Sequence, residues 1–180
     1  MAEMKFKFTN QQYQTNAVDS VVKVFAGQPF HDRTSYRRDT GTQEIKKNLF
    51  NYKIPDEELY MGFANAPVAL DSSQFLKNIR SVQNDNNIKE SSSLVEHMGA
   101  CSLDVEMETG TGKTYVYIKT MFELNKQYGW SKFIVVVPSI AIREGVQKSF
   151  QVMQDHFMEL YGKKARFFIY NSKKYTILRT

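Results

Sequence analysis

Cysteine is almost missing from this chain: Cys101 is the only one among 180 residues, which excludes a disulfide framework and a thiolate zinc site. Histidine is scarce as well. His31, His97 and His156 stand far apart and lack metal-ligand spacing, so they read as surface or packing residues. No run of about 18 apolar residues crosses the chain, and no apolar N-terminal stretch has the form of a signal peptide. The expectation is a cytoplasmic protein with no membrane contact. Neither sign of charge dominates: the net charge of +5 and the pI near 9.2 permit an anionic partner and do no more than hint at nucleic acid. With 42% hydrophobic residues, the chain can build one globular core but is short for two full domains.

What is present begins with an amphipathic helix. Ala17, Val18, Val21, Val22 and Phe25 fall at helical spacing, Thr9 or Asn10 is placed to cap them, and Gly27 followed by Pro29 stops the run. Tyr13 and Gln14 stand at its front. A glutamine amide can offer one donor and one acceptor to the edge of an adenine, although a solvated side chain is the ordinary state of such a residue. From Gly27 to Tyr60 the pattern is irregular, with Arg33, Arg37, Arg38, Lys46, Lys47 and Lys53 interleaved with aromatic and polar residues. Such a stretch suits nucleic acid or a solvated insertion equally. Residues 61–70 read as a loop or short strand interrupted by Pro67. Ser72 or Ser73 then caps a helix to about Gln83, with Phe75, Leu76, Ile79 and Val82 on one face. Residues 84–93, NDNNIKESSS, read as an exposed connector and internal boundary.

The centre of the chain is LDVEMETGTGKT, residues 103–114. Leu103, Val105 and Met107 alternate as in a strand, Gly110 and Gly112 follow, and Lys113 and Thr114 open a helix-period pattern. Strand, glycine turn and helix form the context that a phosphate-binding loop requires. Glycines let backbone N–H groups face phosphate oxygens, and the helix N-terminus adds partial positive charge. Lys113 would reach the β- and γ-phosphates, and the Thr114 hydroxyl would take a place on Mg²⁺. One departure stands out: the consensus places a glycine where this chain has Met107.

Downstream, Tyr117, Met121, Leu124 and Tyr128, with Ile118 and Phe122 beside them, predict a helix that Gly129 stops. Residues 133–137, FIVVV, fit a parallel strand buried on both faces and end at Pro138. Ser139 begins a long helix carrying Val146, Phe150, Met153, Phe157 and Leu160, with Gly162 at its end. Gly145 costs that helix roughly 1 kcal/mol relative to alanine, so its first turn is expected to be distinct or strained. Residues 167–170 form a third strand. This alternation predicts an α/β fold with a parallel sheet flanked by helices. Asp104 and Glu106 disagree, because a central parallel strand should be apolar on both sides; a half-buried antiparallel strand would explain them better but would leave TGTGKT unexplained.

Three segments together, YQTNAV, EMETGTGKT and KFIVVVPSIAIREGV, resemble the start of a superfamily 2 helicase motor, and more narrowly the restriction subunit of type III restriction-modification enzymes. In that family a methionine at the position of Met107 is usual, which accounts for the missing glycine. The resemblance covers the first helix and most of the second half, and residues 27–93 carry little of it. It implies a partial RecA-like P-loop NTPase domain that takes ATP and Mg²⁺. Thr109, Gly110, Thr111, Gly112, Lys113 and Thr114 would hold the nucleotide, Lys113 and Thr114 would be its catalytic pair, Thr114 would ligate the metal and Gln14 would read adenine. Pro138, Ser139 and Arg143 match the segment that contacts the nucleic-acid backbone, and a helix N-terminus at Ser139 can receive a phosphate. An ordinary first-turn charge explains Arg143 as well.

The resulting division is an adenine-recognition helix region at 1–26, an insertion at 27–100 and the first part of the motor domain at 101–180. No D-E-x-H motif, arginine finger, second motor lobe or nuclease constellation occurs in these residues, and phosphoryl transfer needs such parts together. The expectation is therefore the N-terminal portion of a larger ATP-dependent endonuclease that translocates along double-stranded DNA with a methyltransferase partner reading the site. The portion itself would be inactive, and its open sheet edge would leave it prone to dimerise. Two other readings stay open: a helicase-like ATPase of another DNA defence or repair system, and a stand-alone nucleotide- or DNA-binding module.

Overall fold

The computed structural model describes residues 8–9, 11–31, 65–95 and 101–170. The basic stretch with Arg33, Arg37, Arg38, Lys46, Lys47 and Lys53 lies outside them, as does Asn10. Four helices carry the described fold: α1 (Gln12–Val24), α2 (Ser72–Asp85), α3 (Lys113–Tyr128) and α4 (Ile140–Tyr161).

The first helix starts later than its capping residues suggest. Gln11 is its N-cap and its side chain makes no capping bond, so Thr9 does not take that position. Gln14, Val18 and Val22 recur every fourth residue and are all buried, which puts a glutamine in line with two valines on one face. That face meets α3. Val18 and Val22 join Ala66, Val116, Leu124, Tyr128 and Trp130 in one core cluster, with Met107 packed against it. Each fully buried aliphatic side chain there contributes about 1.5–3 kcal/mol.

Helix α3 is central, and its buried surface is wider than the expected Tyr117–Met121–Leu124–Tyr128 stripe. Val116, Leu124 and Tyr128 turn towards α1, whereas Tyr115 and Ile118 turn towards Met153 and Phe157 of α4. Tyr117 and Met121 are only half-buried. On the α4 side the rings stack: Phe122 lies 4.9 Å from Phe157 and 5.0 Å from Tyr161 by ring centroids, at distances where aromatic pairs gain about 0.5–1.5 kcal/mol beyond their area. The Tyr161 hydroxyl donates to Glu123 Oε1 at 2.7 Å and ties the end of α4 to α3. The two long helices end, as expected, at Gly129 and Gly162. Gly145 leaves α4 unbroken, and no separate first turn forms.

The second helix is capped one residue earlier than expected, by Asp71. Its carboxylate accepts from the Gln74 N–H at 2.8 Å and from the Ser73 hydroxyl at 2.7 Å, and these bonds, the Gln74 one first, hold it below the usual carboxylate range. Phe75 and Ile79 pack on Val24. Asn78 Nδ2 donates to the carbonyls of Val24 (3.0 Å) and Ala26 (2.8 Å), satisfying groups that the end of α1 leaves open. The connector after α2 is exposed, yet Arg80 and Gln83 pin it back: Arg80 Nε donates to the Ser91 carbonyl and the Ser91 N–H donates to Gln83 Oε1.

Residues 65–71 are strapped between these layers. The Trp130 indole donates to the Ala66 carbonyl at 3.0 Å, and Asn65 Oδ1 accepts from the Ser131 and Lys132 amides at 2.9 Å each. Buried Gln28 donates to the Pro67 carbonyl and accepts from the Ala69 N–H. Residues 65–71 are thereby built into the core.

No strand is assigned among the described residues. Residues 103–107, 133–137 and 167–170 run without ladder partners there, although the alternation of side chains survives in the second and third. Ile134 and Val136 are 91% and 88% exposed whereas Phe133 and Val135 are 37% and 38% exposed. A strand is defined by its neighbour, and alternation of side chains alone does not make a ladder. The alternation of Leu103, Val105 and Met107 is kept only in part: Leu103 and Met107 pack into cores, while Val105 is exposed. Asp104 and Glu106 are exposed, so neither has to be buried uncompensated.

Candidate nucleotide site

The loop from Glu108 to Gly112 turns on two glycines with positive φ, Gly110 at 84° and Gly112 at 85°. Its backbone is drawn tight by Thr111, whose hydroxyl donates to the Glu108 carbonyl at 2.6 Å. Gly112 is the N-cap of α3, and no side chain caps that end. The first-turn N–H groups of a 16-residue helix therefore stay available, and an uncapped helix N-terminus of this kind suits an anion. Beside it lies an open cleft of about 520 Å³ lined by Val105, Glu106, Met107, Glu108 and Lys113. Lys113 is exposed at its edge and supplies the cation, while Glu106 and Glu108 keep the opposite sign at the wall. Thr109 is exposed in the turn and Thr114 half-buried on the first turn of the helix.

The backbone amides, the uncapped helix end and Lys113 fit a phosphate group. For Mg²⁺ the fit is thinner: Thr114 offers one hydroxyl, and no cluster of three or more His, Cys, Asp or Glu residues able to hold a metal occurs among the described residues.

Helix α1 closes the loop from behind. Gln14 Nε2 donates to the Thr111 carbonyl at 2.9 Å, and the Tyr13 hydroxyl reaches the same oxygen at 3.2 Å. A Cβ on Gly112 would stand 2.6 Å from Gln14 Nε2. The amide of Gln14, expected at the edge of an adenine, thus has one of its two N–H donors engaged on the loop. Spacing along the chain held no sign of this contact, because residues 13–14 and 111–112 are nearly a hundred positions apart. A sign did lie in the position of Gln14 on the Val18–Val22 stripe, which marks it as a buried amide in need of partners. Next to it, buried Lys119 points Nζ at Thr15 Oγ1, 3.4 Å away.

On the far side of α3, Tyr115 stands two residues after Lys113. Its hydroxyl lies 3.1 Å from His156 Nε2, and the ring of Phe8 covers the histidine at 4.8 Å. Burial pushes the His156 imidazole below its ordinary pKa, Glu159 pulls it back up and Lys119 adds to the depression. Neutral His156 can accept a hydrogen bond from the Tyr115 hydroxyl, which fixes the start of α3 against α4.

Pro138, Ser139 and Arg143 gather at the start of α4. Ser139 Oγ accepts from the Ile142 N–H at 3.3 Å, so its hydroxyl already serves as the helix cap. Arg143 places Nη2 3.0 Å and Nε 3.3 Å from Glu144 Oε1. Pro138 and Ser139 are exposed.

The family model described as "Type III restriction enzyme, res subunit" matches residues 7–179. Among curated proteins, the chain is 40% identical over 114 residues to the EcoP15I Res subunit of Escherichia coli, covering 62% of this chain and 12% of that protein. It is 30% identical over 167 residues to the EcoPI Res subunit of Escherichia phage P1, covering 92% of this chain and 15% of that protein. A shorter match to the StyLTI Res subunit of Salmonella typhimurium is 48% identical over 62 residues. The chain spans roughly an eighth to a seventh of the length of the first two. The loop, the helix it opens and the helix behind it all fall inside the matched residues, and the chain belongs to the family of type III restriction enzyme res subunits.

Proposed function

We propose that this chain is the ATP-binding N-terminal portion of a type III restriction endonuclease subunit. The observation that carries the reading is a two-glycine loop opening an uncapped helix, with Lys113 at the mouth of a cleft. Backbone amides from Gly110 to Thr114 would receive the β- and γ-phosphates, Lys113 would neutralise them, and Thr114 would supply one oxygen to Mg²⁺. Thr109 and Thr111 would line the nucleotide, and Thr111 also draws the turn tight through its hydroxyl. Gln14 would meet the adenine with its carbonyl oxygen and second N–H while its other N–H stays on Thr111. The segments at 103–107, 133–137 and 167–170 are read as parallel strands of a RecA-like sheet.

Within the whole enzyme, ATP turnover would drive movement along double-stranded DNA before cleavage, with Pro138, Ser139 and Arg143 on the phosphodiester backbone and a methyltransferase subunit selecting the site. No acidic motif to position the attacking water occurs in these residues, so the chain itself binds nucleotide weakly and turns over almost none. Its residues 134, 136, 168 and 170 are exposed and apolar, which favours self-association. Titration of the purified chain with a fluorescent ATP analogue in Mg²⁺ tests the reading. Saturable binding that Lys113→Ala removes supports it; no binding at millimolar nucleotide overturns it.

A further inference from the structure

The Thr111 carbonyl accepts two side-chain hydrogen bonds from one helix, from Gln14 Nε2 at 2.9 Å and from the Tyr13 hydroxyl at 3.2 Å. A peptide unit is planar and trans, so its C=O and N–H point in opposite directions. Holding the Thr111 oxygen against α1 therefore turns the Gly112 N–H away from α1. Nothing within the loop enforces that orientation. Thr111 uses its own side chain on Glu108, and Gly112, at φ 85°, has no Cβ to resist rotation of the peptide before it. A flipped 111–112 peptide would present a carbonyl oxygen to an incoming phosphate and withdraw a donor from it.

We propose that Tyr13 is a positioning residue for the phosphate loop: together with Gln14 it latches the Thr111–Gly112 peptide so that the Gly112 N–H is offered to the phosphates. The proposal rests on the reading of residues 110–114 as a phosphate site. Tyr13 is 49% exposed, so burial does not account for where its hydroxyl goes, and that hydroxyl is the only part of the side chain the latch requires. The latch acts on phosphate and is indifferent to the base.

Tyr13→Phe keeps the ring and removes the donor. Binding of inorganic triphosphate, ATP and GTP to the purified chain is compared for wild type, Tyr13→Phe and Lys113→Ala, with thermal unfolding of each as the check on folding. One lost hydrogen bond of ordinary net strength predicts a loss of roughly two- to tenfold in Tyr13→Phe, equal for triphosphate, ATP and GTP, with cooperative unfolding retained and stability lowered by no more than that one bond accounts for. Unaltered triphosphate binding in Tyr13→Phe overturns the latch, as does a loss confined to ATP, which would make Tyr13 a reader of the base. Triphosphate binding that is absent in wild type, or insensitive to Lys113→Ala, overturns the phosphate-loop reading itself and the latch with it.

Discussion

Gln14 and Gly112 interlock: the carboxamide nitrogen of one stands 2.6 Å from the point where a Cβ on the other would be. Gln14 is 9% exposed and hydrogen-bonded to Thr111, so it cannot swing aside without losing that bond. Gly112→Ala is expected to lose stability in two parts. Strain at φ 85° costs about 1–2 kcal/mol, and displacement of Gln14 costs about another 1 kcal/mol. Urea unfolding of Gly112→Ala in wild-type and Gln14→Ala backgrounds separates them, because only the second part should vanish when Gln14 is already truncated.

The histidine behind the loop makes the start of α3 sensitive to acid. The His156 pKa is depressed in the folded chain, chiefly by burial. The unfolded chain then binds more protons than the folded one between the depressed value and the ordinary value of about 6.5, so stability falls with falling pH through that window. His156→Phe should flatten the fall, read as unfolding midpoints from pH 7.5 downward. An unchanged pH profile in the variant would assign the acid loss to other groups.

Asn78 ties α2 to the end of α1 by donating to two carbonyls. Replacing it with Asp leaves an acceptor-only side chain facing those oxygens at a helix C-terminus, where negative charge is unfavourable. A loss of about 2 kcal/mol is expected for Asn78→Asp and about 1 kcal/mol for Asn78→Ala, on the scale of one or two hydrogen bonds. Chemical denaturation of both variants checks the order; Asp equal to or more stable than Ala would contradict it.

The helices were readable from the chain because their signals are local. Val18 and Val22, Phe75 and Ile79, Met153 and Phe157 recur at helical spacing, and the glycines at 129 and 162 end their helices where expected. Capping was less readable: Asp71, Ser72 and Ser73 are three adjacent acceptors, and only the geometry selects Asp71. The double burial of α3 was also hidden, since it depends on which neighbours arrive on either side. The segments at 103–107 and 133–137 have the composition expected of strands, but pairing is a property of two segments and cannot be read from one. In the site, Lys113 and the glycines announced themselves, whereas the link from Tyr13 and Gln14 to Thr111 joins distant residues through a backbone oxygen that no side-chain pattern encodes.

Arg143 is engaged by Glu144 on an exposed face. If α4 contacts DNA backbone through Arg143, Glu144→Gln should release the guanidinium and strengthen binding to a short duplex, while Arg143→Ala should weaken it and lower the salt slope by about one. Fluorescence anisotropy across a salt series reads both. Equal affinity and slope in all three proteins would remove Arg143 from the interface.

The central claim is that residues 110–114 hold the phosphates of ATP, and amide hydrogen exchange tests it at those residues. With Mg²⁺ and saturating ATP, the amides from Gly110 to Thr114 should exchange more slowly than in the free chain, and Lys113→Ala should lose that protection. Protection that appears elsewhere while Gly110 to Thr114 exchange as in the free chain would contradict the account.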